Sequence, residues 1–276
     1  MSMQNKAENT MKQALAKQLK NIEKQEKKLF NPKENTFIKT KITPVVDMIQ
    51  DKIPDKLKLT LDTAFYKGFQ LVFKKGNAYI EKTYNKDKIK LEHDLNNYAV
   101  EKYKSVRHIK KLDQQSNLSK TINSSIAVVE GGVLGFLGIG LPDIPLFISV
   151  ILRTVNEITL RYGYSYDTDE EKAYILTLIC GAITQGDRQQ EWNEKAEALG
   201  AQIDSGLVWD IDLDSYIKET SNVLSDALLT AKFIQGIPFV GVIGGVVNHS
   251  IISRIGKYAG IKYKKRYLLH KVKEQA

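Results

Sequence analysis

Apolar residues recur every three or four positions through most of this chain, and proline, glycine and capping residues mark the breaks between those runs. Met11, Leu15, Leu19, Ile22 and Leu29 form a thin stripe among Lys and Gln that stops at Asn31-Pro32, so the spacing predicts a weakly amphipathic basic helix over 1–30. Thr43 followed by Pro44 suits the start of another helix. A further one follows Pro54, with Leu57, Leu61, Phe65, Phe69, Val72 and Phe73 on one face and Gly76 as its interruption. Residues 77–120 are highly charged, yet Tyr79, Ile80, Tyr84, Ile89, Leu91, Leu95, Tyr98 and Val100 are spaced as on a helix, with His93 expected at the surface. The polar run 113–125 reads as a connection, and the abrupt apolar turn at Ile126 makes 120 the best internal boundary.

The second half repeats this grammar. Leu146, Val150, Val155, Ile158 and Tyr162 make a helical stripe with Asp143 placed as its N-cap and Gly163 at its end. Thr168 and Glu171 form a capping box, and Asp169 and Glu170 favour the positive end of the helix that follows. Residues 187–200 read as a short polar helix. Leu207, Trp209, Ile211 and Leu213 alternate like a strand before a helical pattern from Asp214 to Lys232. Together the pattern predicts an all-α protein: a basic amphipathic N-terminal helix over 1–30 and a multi-helix bundle over 31–276.

The stretch "VEGGVLGFLGIGLPDIPLFISVIL" at 129–152 holds only Asp143 as a charge after Glu130. It is no phosphate cradle, because no Lys follows Gly138 or Gly140, and Gly135, Gly138 and Gly140 do not fit the dinucleotide spacing. Its length suits a bilayer, but Pro142 and Pro145 break the hydrogen-bond ladder and Asp143 costs about 2.5–3.5 kcal/mol on insertion. Gly132, Gly135 and Gly138 recur every third residue, and Gly241 and Gly245 form a small-xxx-small pair in a second apolar block at 233–252. Such spacing lets helix backbones approach closely. It leaves two readings open for the glycine-rich helices, a close-packed core or a membrane-interacting hairpin.

Charge and candidate chemistry narrow the function. Net charge is +9, concentrated at the ends: residues 1–28 hold seven Lys against Glu8, Glu23 and Glu26, and from Arg254 onward eight cations face only Glu274. The tail residues Lys257, Lys262, Lys264, Lys265 and Arg266 follow an apolar block, which predicts contact with anionic lipid headgroups. Tyr258, Tyr263 and Tyr267 lie among them, so nucleic-acid binding is an alternative. Cys180 is the single cysteine and the N-terminus has no apolar signal region, pointing to a reducing, cytoplasmic location. His93, His108, His249 and His270 are far apart, and the acidic runs 167–171 and 210–214 fail the calcium-loop spacing, so no metal or other cofactor is expected. No nucleophile elbow is present.

Leu141-Pro142-Asp143-Ile144-Pro145, the Tyr162-Gly163-Tyr164 turn and the glycine block from Pro238 to Asn248 together resemble the EcsC family, most clearly over 126–265. The resemblance implies a link to membrane transport or secretion, because the family is named for a product encoded beside an ABC exporter; it supplies no catalytic residues. The first thirty residues look peculiar to this chain. The expectation is a non-enzymatic accessory or regulatory protein at the inner face of the cell membrane, partnered by anionic lipid and a membrane transporter complex. The alternative from another class is a hydrolase-like enzyme with a helical pocket near Asp143 and residues 162–171.

Overall fold

The computed structural model describes residues 3–30, 53–76, 80–103, 107–114, 144–207, 210–235 and 247–275. Among them every regular element is helical: α1 (Met3–Phe30), α2 (Asp55–Leu71), α3 (Lys86–Tyr103), α4 (Ile144–Arg161), α5 (Asp169–Ile183), α6 (Gly186–Asp204), α7 (Leu213–Gln235) and α8 (Val247–Lys273). A π-helical turn, Val72–Gly76, extends α2. Residues 107–114 add a short helical segment. The helix expected after Thr43 lies outside the described residues, as do Asp143, Gly132, Gly135, Gly138, Gly241 and Gly245.

The helix ends follow local chemistry. Pro54 precedes α2, and its carbonyl accepts from Leu57 and Lys58. Thr168 caps α5, its hydroxyl accepting the Glu171 N–H at 3.3 Å. Asp212 does the same for α7 through Ser215 at 3.1 Å, so the acidic run 210–214 serves as a cap, and Asp214 accepts the Tyr66 hydroxyl of α2 at 2.7 Å. The alternation around Ile211 forms no strand among the described residues. α4 ends in a Schellman turn: the Tyr164 N–H reaches the Thr159 carbonyl, the Gly163 N–H reaches Leu160, and Gly163 takes φ +83°. His93 then accommodates the next free carbonyl, its Nδ1 lying 2.9 Å from Arg161 O.

α8 is the axis of the bundle. About 40 Å long at the usual helical rise, it packs against α1, α4, α5 and α6. α5 in turn meets α6 and α7, α2 fills the angle between α4 and α7, and α3 closes over α4. α1 is part of this core, since Met11, Leu15 and Ile22 are fully buried. Close backbone approach occurs at Gly68, where an added Cβ would sit 2.6 Å from Ile148, and at Gly181, where it would meet the Tyr258 ring at 2.9 Å.

Three expectations are corrected. α4 is buried on nearly every side, through Ile148, Ile151, Val155 and Ile158, where a single stripe was expected; it is wedged between α2, α3 and α8. The part of the 129–152 stretch from Ile144 onward is core. In α3, Leu91, Leu95 and Tyr98 face outward, because α3 turns its Ile89, Ala99 and Val100 side to α4. His93 accordingly lies inside, 9% exposed, and burial pulls its pKa below the ordinary imidazole value although the Arg161 carbonyl opposes this.

Candidate functional site

The charged residues of α8 split into those spent on holding the bundle and those left over. Arg266, 5% exposed, is wrapped by two carboxylates. Its Nη1 donates to Glu171 of α5 at 2.8 Å, its Nη2 to Asp204 of α6 at 2.7 Å, and its Nε to Asp204 at 3.1 Å. The guanidinium also lies 4.2 Å from the Tyr164 ring centre and 4.5 Å from that of Tyr174, while the Tyr263 hydroxyl donates to Glu171 at 2.6 Å. Burial alone would lower the Arg266 pKa, but Asp204 and Glu171 more than offset it and hold the group charged. For Glu171 burial wins over its partners and raises the carboxyl above its usual range. Every nitrogen of this guanidinium is engaged, so the cluster ties α5, α6 and α8 together.

The other tail cations behave alike. Lys262, 1% exposed, bonds to Glu26 of α1 and Glu197 of α6, and Lys265 joins the same carboxylates, reaching Glu197 at 2.9 Å. Burial would raise the Glu197 carboxyl, yet the two lysines pull it below the ordinary range. Lys264 donates to Asp113 at 2.6 Å and to Gln18 at 3.1 Å. Lys271 donates to Glu101 at 2.7 Å. Of the predicted lipid-contact residues, Lys262, Lys264 and Arg266 are therefore buried in internal ion pairs, Lys265 is half-buried and paired, and Lys257 alone is exposed with no ion pair among the described residues. The physical reason is that α8 runs through the middle of the bundle, where Lys262, Lys264, Lys265, Arg266 and Lys271 each meet an acid supplied by another helical segment. Tyr258, Tyr263 and Tyr267 are buried too, so none of the three is available for stacking from outside.

Residues 162–171 show the same engagement. The Tyr162 hydroxyl donates to Asp113 at 2.9 Å, that of Tyr166 to Glu81 at 2.7 Å, and Glu171 is held by Arg266. Thr168 caps as predicted, but the Glu171 side chain turns to α8 rather than back to the cap. No group of His, Cys, Asp and Glu residues suited to a metal ion occurs among the described residues. No described helix is long and apolar enough to cross a membrane.

Two features of the described residues combine unpaired cations with access from outside. The first is the outer face of α1, where Lys17, Lys20, Lys24, Lys27 and Lys28 are exposed and fall within an arc of about 100°, opposite buried Met11, Leu15 and Ile22. None of the five forms an ion pair among the described residues. The spacing of these lysines against the apolar stripe, which predicts a basic amphipathic helix over 1–30, is the signal for this surface. The second is a cleft of about 370 Å³ between α1, α8 and the 107–114 segment. Ile22, Leu29, Gly260 and Ile261 form its apolar walls, and Lys28, Lys257, Lys264, Asp113, Gln25 and Tyr162 its polar ones.

Comparison with known proteins places this arrangement. Among curated proteins, "Uncharacterized protein YdbA" of Bacillus subtilis (strain 168) is 24% identical over 164 residues, covering 55% of this chain and 56% of that protein. The match thus spans little more than half the length of that relative. No solved structure matches. The EcsC protein family matches residues 16–268, which takes in the second half of α1, set apart on sequence, together with α8 and its paired cations. On that match, running across nearly the whole bundle, the chain belongs to the EcsC family.

Proposed function

We propose that the protein is a non-enzymatic accessory or regulatory protein that docks peripherally on an anionic membrane surface through the outer face of α1. The observation that carries this reading is the row Lys17, Lys20, Lys24, Lys27 and Lys28, exposed and in no ion pair among the described residues, while Lys262, Lys264, Lys265 and Arg266 of the tail are held in internal ion pairs. Each lysine brought against anionic lipid contributes about 1 kcal/mol, so the row is sufficient for reversible binding without an inserted helix. The residues interspersed along that face, such as Gln13 and Asn21, are polar and exposed, which suits headgroups. The location that follows is the inner face of the cell membrane, and the machine served, from the family resemblance, is an ABC transporter or secretion complex.

Co-sedimentation tests this with phosphatidylglycerol vesicles against pure phosphatidylcholine vesicles at low salt. Strong preference for the anionic vesicles, weakened by salt, supports the reading. Equal recovery with both, or displacement from anionic vesicles by equimolar duplex or single-stranded nucleic acid, overturns it.

A further inference from the structure

The geometry points to the α1–α8 cleft as a binding site for a small amphiphilic phosphate, a phosphate monoester carrying a short apolar group. The cleft brings three ammonium groups, Lys28, Lys257 and Lys264, to one cavity that contains a single carboxylate, Asp113. That carboxylate is already engaged, accepting from Lys264 at 2.6 Å and from the Tyr162 hydroxyl at 2.9 Å. Lys28 of α1 and Lys257 of α8 are left facing the same space with no ion pair among the described residues. Two uncompensated cations from different helices converging on one cleft repel each other, and an anion between them removes that repulsion and gains charge-assisted hydrogen bonds.

The walls add the second half of the specificity. Ile22, Leu29 and Ile261 present hydrocarbon beside the cations, and Gly260 leaves the floor without a side chain. At about 370 Å³ the cavity lies at the lower end of the range for small-molecule sites, enough for a phosphate and a short chain but not a two-chain lipid body. Inorganic phosphate alone would leave the apolar walls wet. A neutral amphiphile would leave Lys28 and Lys257 unmatched.

This site meets the membrane-docking row only at Lys28; the other docking lysines, Lys17, Lys20, Lys24 and Lys27, lie outside the cleft. Isothermal titration of the full chain with octyl phosphate below its micelle concentration tests it, with inorganic phosphate and octyl glucoside as the other two arms. The expected result is saturable one-to-one binding of octyl phosphate, at least about tenfold weaker binding of inorganic phosphate, and no saturable binding of octyl glucoside. Lys28→Gln and Lys257→Gln, both at exposed positions that the fold tolerates, each weaken octyl phosphate by about tenfold. A variant carrying Gln at positions 17, 20, 24 and 27 keeps octyl phosphate binding whether or not it still binds vesicles. Absence of octyl phosphate binding, equal affinity for inorganic phosphate or octyl glucoside, or unchanged affinity in both single variants overturns the assignment.

Discussion

Replacing Arg266 by Met probes the clasp at the centre of the bundle. The substitution keeps an unbranched apolar stem but deletes the bonds to Glu171 at 2.8 and 3.3 Å and to Asp204 at 2.7 and 3.1 Å. Two carboxylates from α5 and α6 are then left beside each other without a cation, Glu171 fully inside. Removing one partner of a buried pair costs about 3–5 kcal/mol, against less than 1 kcal/mol for an exposed one. The loss is pH-dependent with a definite sign. Burial holds the Glu171 carboxyl above its unfolded pKa, and more so without Arg266, so its penalty is complete above the raised value and shrinks as pH falls toward about 4.3. Urea denaturation followed by circular dichroism, near pH 8 and near pH 5, reads both effects. Adding Glu171→Gln and Asp204→Asn to Arg266→Met removes the stranded charges and recovers at least half of the loss. A single variant within about 1 kcal/mol of wild type, or one equally destabilised at both pH values, refutes the reasoning.

Other substitutions test neighbouring statements. Gly163→Ala forces a Cβ onto a residue at φ +83°, where it would meet His93 Nε2 at 2.3 Å, so it costs about 2–4 kcal/mol in thermal or urea melts. Combining it with His93→Ala changes the penalty by relieving the clash, and additive losses contradict the contact. Thr168→Ala removes the α5 cap and costs about 1 kcal/mol by the same melts, with no measurable loss as the contrary result. Cys180 is fully buried, and burial pushes its thiol up to about 12, so iodoacetamide labels it only as fast as the protein unfolds. Labelling of the folded protein at the rate of a free thiol contradicts this.

The sequence exposes helix punctuation more readily than helix orientation. Pro54, Thr168 and Gly163 declare their boundaries because caps and turns depend on neighbours a few residues away. α7 begins at Leu213, one residue before the pattern suggested, and α6 runs on to Asp204 past the expected stop at Gly200. Which side of a helix faces inward is a different matter. Leu91, Leu95 and Tyr98 have proper helical spacing and are exposed, since the packing of α3 on α4 decides the face. The basic tail shows the same limit more sharply. Lys262, Lys264 and Lys271 look like a cationic patch because their partners Glu26, Asp113 and Glu101 come from far away along the chain. A clue was available in Tyr258, Tyr263 and Tyr267, large aromatic residues set among the cations: a step of five residues turns about 140° round a helix, so together they point to burial on more than one side. The α1–α8 cleft had no local signature, since Lys28, Asp113 and Lys257 share nothing but their place in the fold.

The most direct measurement of the central claim is vesicle flotation of a Lys17→Gln, Lys20→Gln, Lys24→Gln, Lys27→Gln variant beside wild type and Lys273→Gln, an exposed tail control. All four α1 positions lie on the outer face, so thermal melts of the variant match wild type. At about 1 kcal/mol per lysine, the variant loses about a thousandfold in affinity for phosphatidylglycerol vesicles at low salt, while Lys273→Gln loses no more than about fivefold. A folded quadruple variant that floats with anionic vesicles as wild type does would contradict the account.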